Sequence, residues 1–233
     1  MFDRPHHRRI ATVLHALDAT LLVRNACYFG GDTAMALRFG EYPESVDIDF
    51  LVSDVAGYRN LRQLVTQAEG IKTILTNSPT AQPIQQVRDM RTDQYGIRTM
   101  LEVEGFQIKF EIVLEGRIML ETPTASDQIA GVSTLTELDM ATSKLLANSD
   151  RWADDSVFSR DLIDLAMMQP KAALLAQALE KAKLAYGNSV ERDLNKAIEA
   201  LRTRAGRLER CMQMMQMSVP KAVLWQRIKA LKR

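Results

Sequence analysis

The feature that most constrains this chain is a strand-length segment in which carboxylates alternate with apolar residues, Ser45-Val46-Asp47-Ile48-Asp49-Phe50. A glycine pair and a short helical run, Gly30-Gly31-Asp32-Thr33-Ala34, precede it. Successive side chains of a strand point to opposite faces, so Val46, Ile48, Phe50 and Val52 share one face and Asp47 and Asp49 the other. Two carboxylates side by side are costly unless a cation neutralises them. Hard oxygen donors of this kind suit Mg²⁺, or Mn²⁺ in its place, shared with substrate phosphates. Gly30 and Gly31 let the backbone approach a triphosphate, and the helix after them offers free N–H groups and a positive dipole end to phosphate oxygens. Beside a nucleotide held in this way, the two carboxylates can activate an attacking hydroxyl and steady a departing pyrophosphate.

Gly-Gly, a spacer and Asp-x-Asp in an apolar frame resemble the DNA polymerase β-like nucleotidyltransferase superfamily. The fuller string, Phe29 to Leu37 followed by Ser45 to Phe50, resembles its AbiEii/AbiGii-type toxin branch. A second block is similar to that branch as well: Lys144 on an expected helix, Asp150-Arg151, then Ser159-Arg160-Asp161-Leu162-Ile163-Asp164-Leu165. The resemblance covers about residues 25–168 and matches the stretch between the blocks only loosely. It implies an α/β (α+β) nucleotidyltransferase core with a mixed sheet, over 1–122, and an all-helical C-terminal region over 123–233, with the active site in the cleft between them. It also implies a nucleotide moved from an NTP to RNA, with the tRNA 3′ end as the expected acceptor, by the toxin of a type IV toxin–antitoxin system with a cognate antitoxin partner.

The resemblance assigns roles residue by residue. Asp47, Asp49 and a third carboxylate from a later strand are expected to hold metal and catalyse, with Asp161 as a further catalytic candidate. Gly30, Gly31, Thr33, Ser45, Lys144 and Arg160 are expected to bind the nucleotide. For Arg151, Arg160 and Asp164 a structural ion-pair network is an equal alternative. The chain departs from the family's pattern in two places: Asp32 puts a negative charge beside the phosphate cradle, and Pro43 stands where relatives often carry a basic residue, with Arg38 the nearby candidate to replace it. Transfer to a small molecule such as an antibiotic, and a degenerate nucleotide-binding or partner-binding module, stay open beside the toxin reading.

Periodicity organises the rest. Helical spacing of Ile10, Val13, Leu14 and Leu17 predicts a helix over about 5–20, and a short strand near 26–29 delivers the glycines. Asp54 should cap a helix over about 55–68 that Gly70 ends; 71–92 gives no clear pattern. Ile97, Thr99, Leu101 and Val103, then Phe106, Ile108, Phe110, Ile112 and Leu114, alternate about Glu104-Gly105 and predict a hairpin with one apolar face. On the opposite face of its second strand Glu111 is the one acid at mid-strand, hence the candidate third carboxylate; a solvated strand glutamate is the alternative. Beyond a loop at 122–127 the chain should be helical. Thr134-x-x-Glu137 is a capping box, a helix after Pro170 closes at Gly187, Ser189 caps a long helix reaching Met217, and a last helix carries Trp225.

Composition limits the alternatives. With 46% hydrophobic and 25% charged residues, this is the balance of a water-soluble globular protein. No apolar run reaches the roughly 18 residues of a membrane span, and the start Met-Phe-Asp-Arg-Pro has no apolar leader, so a cytoplasmic location and no membrane partner are expected. Cys27 and Cys211 form no close pair and read as small core residues. His6, His7 and His15 lack ligand-spaced partners and read as surface residues. Residues 196–233 hold ten Lys/Arg and two acids, net +8, which against the total of +1 leaves −7 for residues 1–195. A basic tail on an acidic body points to a polyanion or to a merely solvated helix surface.

Overall fold

The alternating segment folds as strand β2 (Asp47–Val52), with Ile48, Phe50 and Val52 fully buried and Asp47 and Asp49 partly open. Val46 lies before the strand and is 51% exposed, so the apolar face begins at Ile48, one residue pair later than the sequence pattern predicts. The computed structural model describes residues 2–42, 45–76 and 84–232. They gather into two units, Met1–Glu41 with Ser45–Thr136, and Tyr42–Glu44 with Glu137–Arg233.

In the first unit β1 (Cys27–Gly30) runs antiparallel to β2, and β2 runs parallel to β6 (Phe106–Leu114). β6 continues antiparallel into β5 (Gly96–Val103), whose other edge takes the two-residue strands β3 (Gln85–Gln86) and β4 (Arg91–Thr92). The sheet is therefore mixed, in the order β1-β2-β6-β5-β3, with β4 also on β5. Three phenylalanines, all 0% exposed, bind its centre: Phe29 and Phe50 have ring centroids 5.5 Å apart, and Phe50 and Phe110 5.9 Å. Tilted aromatic pairs at this spacing add to area burial. A one-residue slip of β2 would turn Phe50 out and the carboxylates in, so the apolar face dictates the register.

The expected hairpin forms with a two-residue turn in which both Glu104 (φ 52) and Gly105 (φ 76) are left-handed, the geometry that matches strand twist. Phe106, beside the turn, does not join the core: it is 49% exposed and carries the Arg9 guanidinium 3.6 Å above its ring. Helix α1 (Pro5–Ala16) stops short of residue 20 because the Asp18 carboxylate accepts from the Leu21 N–H (2.9 Å) and opens α2 (Ala19–Arg24). Helix α3 (Gly31–Arg38) follows β1 directly, and Asp54 caps α4 (Val55–Val65) as predicted, accepting from the Gly57 N–H at 2.8 Å. Gly70 does not terminate α4 but opens a short 3₁₀ turn, Gly70–Ile74. Pro43 and residues 77–83 lie outside the described residues.

After the loop the chain is not yet helical. Strands β7 (Gln128–Ile129) and β8 (Val132–Ser133) form a small hairpin, and Leu135 N–H donates to the Phe29 carbonyl (2.9 Å). Thr134 bridges to Phe29 instead of capping a helix, and Arg38 donates to both Thr134 Oγ1 and Asp127 Oδ1 at 3.1 Å. Arg38 thus ties the hairpin down, which explains its presence without a phosphate.

The second unit is helical: α5 (Glu137–Arg151), α6 (Arg160–Met168), α7 (Ala172–Tyr186), α8 (Ser189–Thr203), α9 (Arg207–Met214) and α10 (Lys221–Ala230). Leu145, Leu146, Ile163, Leu194, Leu224 and Ile228 form its core, all at 0% exposure. The single long helix expected from residue 189 is two, broken at Gly206 (φ 73), and Ser189 spends its hydroxyl on the Tyr186 carbonyl (2.7 Å) rather than on a cap. Both cysteines are buried. Among the described residues no helix is long and apolar enough to cross a membrane.

Replacing Phe50 by Ala should cost about 3–5 kcal/mol of stability, as for other buried phenylalanines, read as a lower urea midpoint. Phe50→Leu should cost visibly less. Equal, small losses in both would mean that the aromatic row does not hold the sheet.

Candidate active site

Strand pairing alone assembles an acidic patch. β2 against β6 sets Asp47 opposite Lys109 and Asp49 opposite Glu111, and β6 against β5 sets Arg98 opposite Glu111. Neighbouring strands lie about 4.8 Å apart, so the three carboxylates named from the sequence share one face of the sheet, the reverse of the phenylalanine face. Glu111 is held on both oxygens, by Arg98 Nε at 2.8 Å and Lys109 Nζ at 2.5 Å. Burial, then repulsion from Glu111, Asp47 and Asp32, pushes the Asp49 carboxyl up to about 7 against the pull of Lys109. Lys109 is held above the usual lysine value: partial burial opposes its charge, but Glu111, Asp47 and Asp49 outweigh it.

The glycine pair is shaped by this patch. Gly31 has φ +69, and a Cβ there would stand 2.6 Å from Asp49 Oδ2. At Gly30 a Cβ would meet Leu51 Cδ1 at 2.6 Å and Leu135 Cδ1 at 2.8 Å. One glycine therefore makes room for the carboxylate and the other for the packing that seats β1. Asp32, in the first turn of α3, adds a fourth negative charge to the field at Asp49.

Thr33 and Ser45 lie beneath the patch, both buried. Thr33 Oγ1 is 2.7 Å from Ser45 Oγ and donates to the Asp47 carbonyl at 2.5 Å. The Ser45 N–H donates to His7 Nε2 (3.3 Å), and His7 Nδ1 meets Glu41 Oε2 at 2.8 Å. Glu41 also accepts from the Asp3 N–H at 2.7 Å. Since Nε2 accepts, the proton must sit on Nδ1 and the ring must be neutral. Burial lowers the His7 pKa below 6.5, helped by Arg4 and His6 and opposed by Glu41. His7 is thus a fully buried support, not the surface residue that its sequence context predicts. This chain of contacts, Glu41 to His7 to Ser45 to Thr33 to Asp47, fixes the start of β2.

Asp47, Asp49 and Glu111 present hard carboxylate oxygens, the donor chemistry a divalent cation takes, on one face, and both Glu111 oxygens already carry Arg98 and Lys109.

Within the helical unit the residues of the second motif block form a cluster. Lys144 Nζ on α5 lies 2.5 Å from Asp164 Oδ2 and 3.3 Å from Asp161 Oδ1, both on α6. Arg151 grips Asp161 with two donors, Nε at 2.7 Å and Nη2 at 2.9 Å. Arg160 Nε approaches Asp164 at 4.0 Å. Lys144, Asp161 and Asp164 are all buried. Paired, buried charges of this kind lock two helices together, and removing one partner leaves the others uncompensated.

The sequence model of the family described as nucleotidyl transferase AbiEii toxin, type IV TA system, matches residues 15–231. The chain belongs to the AbiEii family. Both motif blocks lie inside the AbiEii match, which fixes the protein as a member of a nucleotidyltransferase family of toxin–antitoxin systems. Two solved structures are similar. A candidate nucleotidyltransferase from H. pylori shares 17% identity over 97% of this chain and 92% of its own, at TM-score 0.49. JHP933 from Helicobacter pylori shares 16% over 99% and 93%, at TM-score 0.47. No curated protein matches the chain significantly.

Sequence reasoning in this AbiEii chain missed His7, Glu41, Lys109 and Arg98. Lys109 and Arg98 were findable, because Lys109 stands two residues before Glu111 on the same strand face. His7 and Glu41 gave no signal, since their pairing spans 34 residues.

His7→Leu should lose about 1–3 kcal/mol, because Glu41 and the Ser45 N–H lose a partner, whereas His7→Gln should recover part of it. An unfolded histidine titrates near 6.5 and the folded one lower, so the unfolded state binds the proton first. Wild-type stability from this group is intact above pH 6.5 and is lost as pH falls. Thermal melts across that range should be flatter in His7→Leu; parallel curves would remove the support role.

Proposed function

We propose that this protein transfers a nucleotide from an NTP to RNA, with the tRNA 3′ end as acceptor, and that a cognate antitoxin restrains it in the cell. The observation that carries the reading is the meeting of Asp47, Asp49 and Glu111 on one open strand face, with Gly31 packed against Asp49. Family membership supports the toxin context and the antitoxin partner.

The backbone at Gly30 and Gly31 and the first turn of α3 receive the triphosphate. Asp47, Asp49 and Glu111 would hold Mg²⁺, which when bound supplies charge neutralisation of the phosphates and polarisation of the α-phosphate. The acceptor hydroxyl oxygen forms a bond to the α-phosphorus as the α–β phosphoanhydride bond breaks, and pyrophosphate leaves. The hydroxyl proton passes to one of the three carboxylates. Lys109 and Arg98 hold Glu111 in place, and Thr33 and Ser45 serve the reaction by fixing Asp47 rather than by touching the nucleotide. To Lys144 and Arg160 we assign nucleotide binding and to Asp161 a catalytic part, on the resemblance of their motif block to the family.

Purified protein incubated with each labelled NTP, Mg²⁺ and total cellular RNA should label an RNA band. Label confined to small molecules, or no label, would overturn the RNA acceptor. Asp47→Asn and Asp49→Asn should each lower transfer at least 10³-fold, an order-of-magnitude expectation for losing a group that binds charge in the transition state, with the fold intact. Glu111→Gln should be comparably damaging, and near-normal activity there would require another third carboxylate.

A further inference from the structure

The acidic patch continues sideways into a basic concavity. Next to Glu111, on the side of β6 away from β2, a cavity of about 670 Å³ is lined by Arg88, Arg91, Arg98 and Lys109 against one carboxylate, Asp89. That is within the range of ligand sites. Arg98 and Lys109 are the residues that grip Glu111, so the cavity opens at the edge of the carboxylates.

Two of its four cations, Arg98 and Lys109, are paired with carboxylates of the sheet, and two are not. Arg98 divides its guanidinium between Glu111 and Asp93 (2.9 Å), while neither Arg88 nor Arg91 has a carboxylate partner among the described residues. Arg91 stands directly opposite Arg98 in the β4–β5 pair, which sets its charge beside that of the cavity wall. The segment carrying them is nevertheless fastened: Val87 N–H donates to the Met100 carbonyl (2.9 Å) and Thr99 Oγ1 to the Arg88 carbonyl (2.7 Å). Two exposed arginines on a tied segment are displayed for something outside the chain.

The basic tail is a weaker candidate. Arg202 pairs with Glu199, Arg204 and Arg207 with Asp155, and Lys221 with Glu209, so part of its charge is answered at the surface.

We propose that this cavity binds the phosphodiester backbone of the RNA strand next to its acceptor hydroxyl. The assignment rests on the reading above and adds its direction. Attacking and leaving oxygens lie on opposite sides of the α-phosphorus in an in-line displacement. With the triphosphate on the Gly30–Gly31 side of the carboxylates, pyrophosphate departs towards β1 and α3. The acceptor then arrives from the β5 side, where the cavity is. Arginines suit that ligand, since each presents a planar fork of donors to a phosphate.

The test uses the full chain and the double variant Arg88→Ala/Arg91→Ala, with Arg88→Lys/Arg91→Lys as the charge-keeping control. Affinity for a fluorescent single-stranded RNA ending in a tRNA acceptor sequence is followed by anisotropy against salt, NTP affinity by calorimetry, and folding by thermal melts. The alanine variant should bind RNA roughly tenfold more weakly, and its salt slope should shrink by about 1.4, two contacts at about 0.7 each. NTP affinity should stay within twofold, and the lysine variant should keep most of the slope. An unchanged slope in a folded alanine variant overturns the site, and so does an equal loss of NTP affinity, which would give the cavity to the triphosphate. Labelled transfer by the wild type separates the two readings. Transfer to RNA with an unchanged slope removes the cavity and keeps the acceptor; a slope that falls as expected without transfer keeps the cavity and removes the acceptor.

Discussion

The burial of one face of β2 is the constraint on which the rest of the first unit depends. Ile48, Phe50 and Val52 leave water completely, and Phe50 is flanked by Phe29 and Phe110. Because side chains alternate, that burial commits Asp47 and Asp49 to the other face, and the parallel register to β6 brings Glu111 alongside. Hydrophobic free energy thereby overcomes a repulsion that the carboxylates could not overcome themselves. The charge that would drive the strand away is held by packing on its reverse side.

The two units handle charge differently. In the helical unit Lys144, Arg151, Asp161 and Asp164 answer one another at short range and are buried together. On the sheet, burial first and then the neighbouring carboxylates Glu111, Asp47 and Asp32 raise the Asp49 pKa. Carboxylates crowded on one strand face lower their energy by taking up positive charge.

How much of this was legible in the sequence follows from the range of the interactions. The alternation in β2, the β5–β6 hairpin, the Asp54 cap and the helix end at Gly187 are written in residues close together, whereas the α/β (α+β) class with a mixed sheet came from the family resemblance. The choice of Glu111 rested on its place in the strand, and pairing set it opposite Asp49. What escaped prediction depends on distant partners or on local competition. His7 reads as a surface histidine until Glu41 and Ser45 close over it. Thr134 reads as a cap until Phe29 takes it as a bridge partner. The long helix expected from residue 189 stops at Thr203, and Gly206, with a left-handed backbone, precedes the start of α9.

The tight turn at Glu104–Gly105 also bears on the order in which the chain acquires its site. A two-residue hairpin needs only a small loop to close and forms on the microsecond scale, about 1–10 μs, so β5 and β6 can pair early with Glu111 already between Lys109 and Arg98. The parallel partner β2 lies some sixty residues upstream, since Asp49 meets Glu111, and long-range parallel pairing comes late in folding. During synthesis Asp47 and Asp49 leave the ribosome well before the strand that they must join. Until that strand emerges and β2 docks, the nascent chain has the separate carboxylates but no assembled centre.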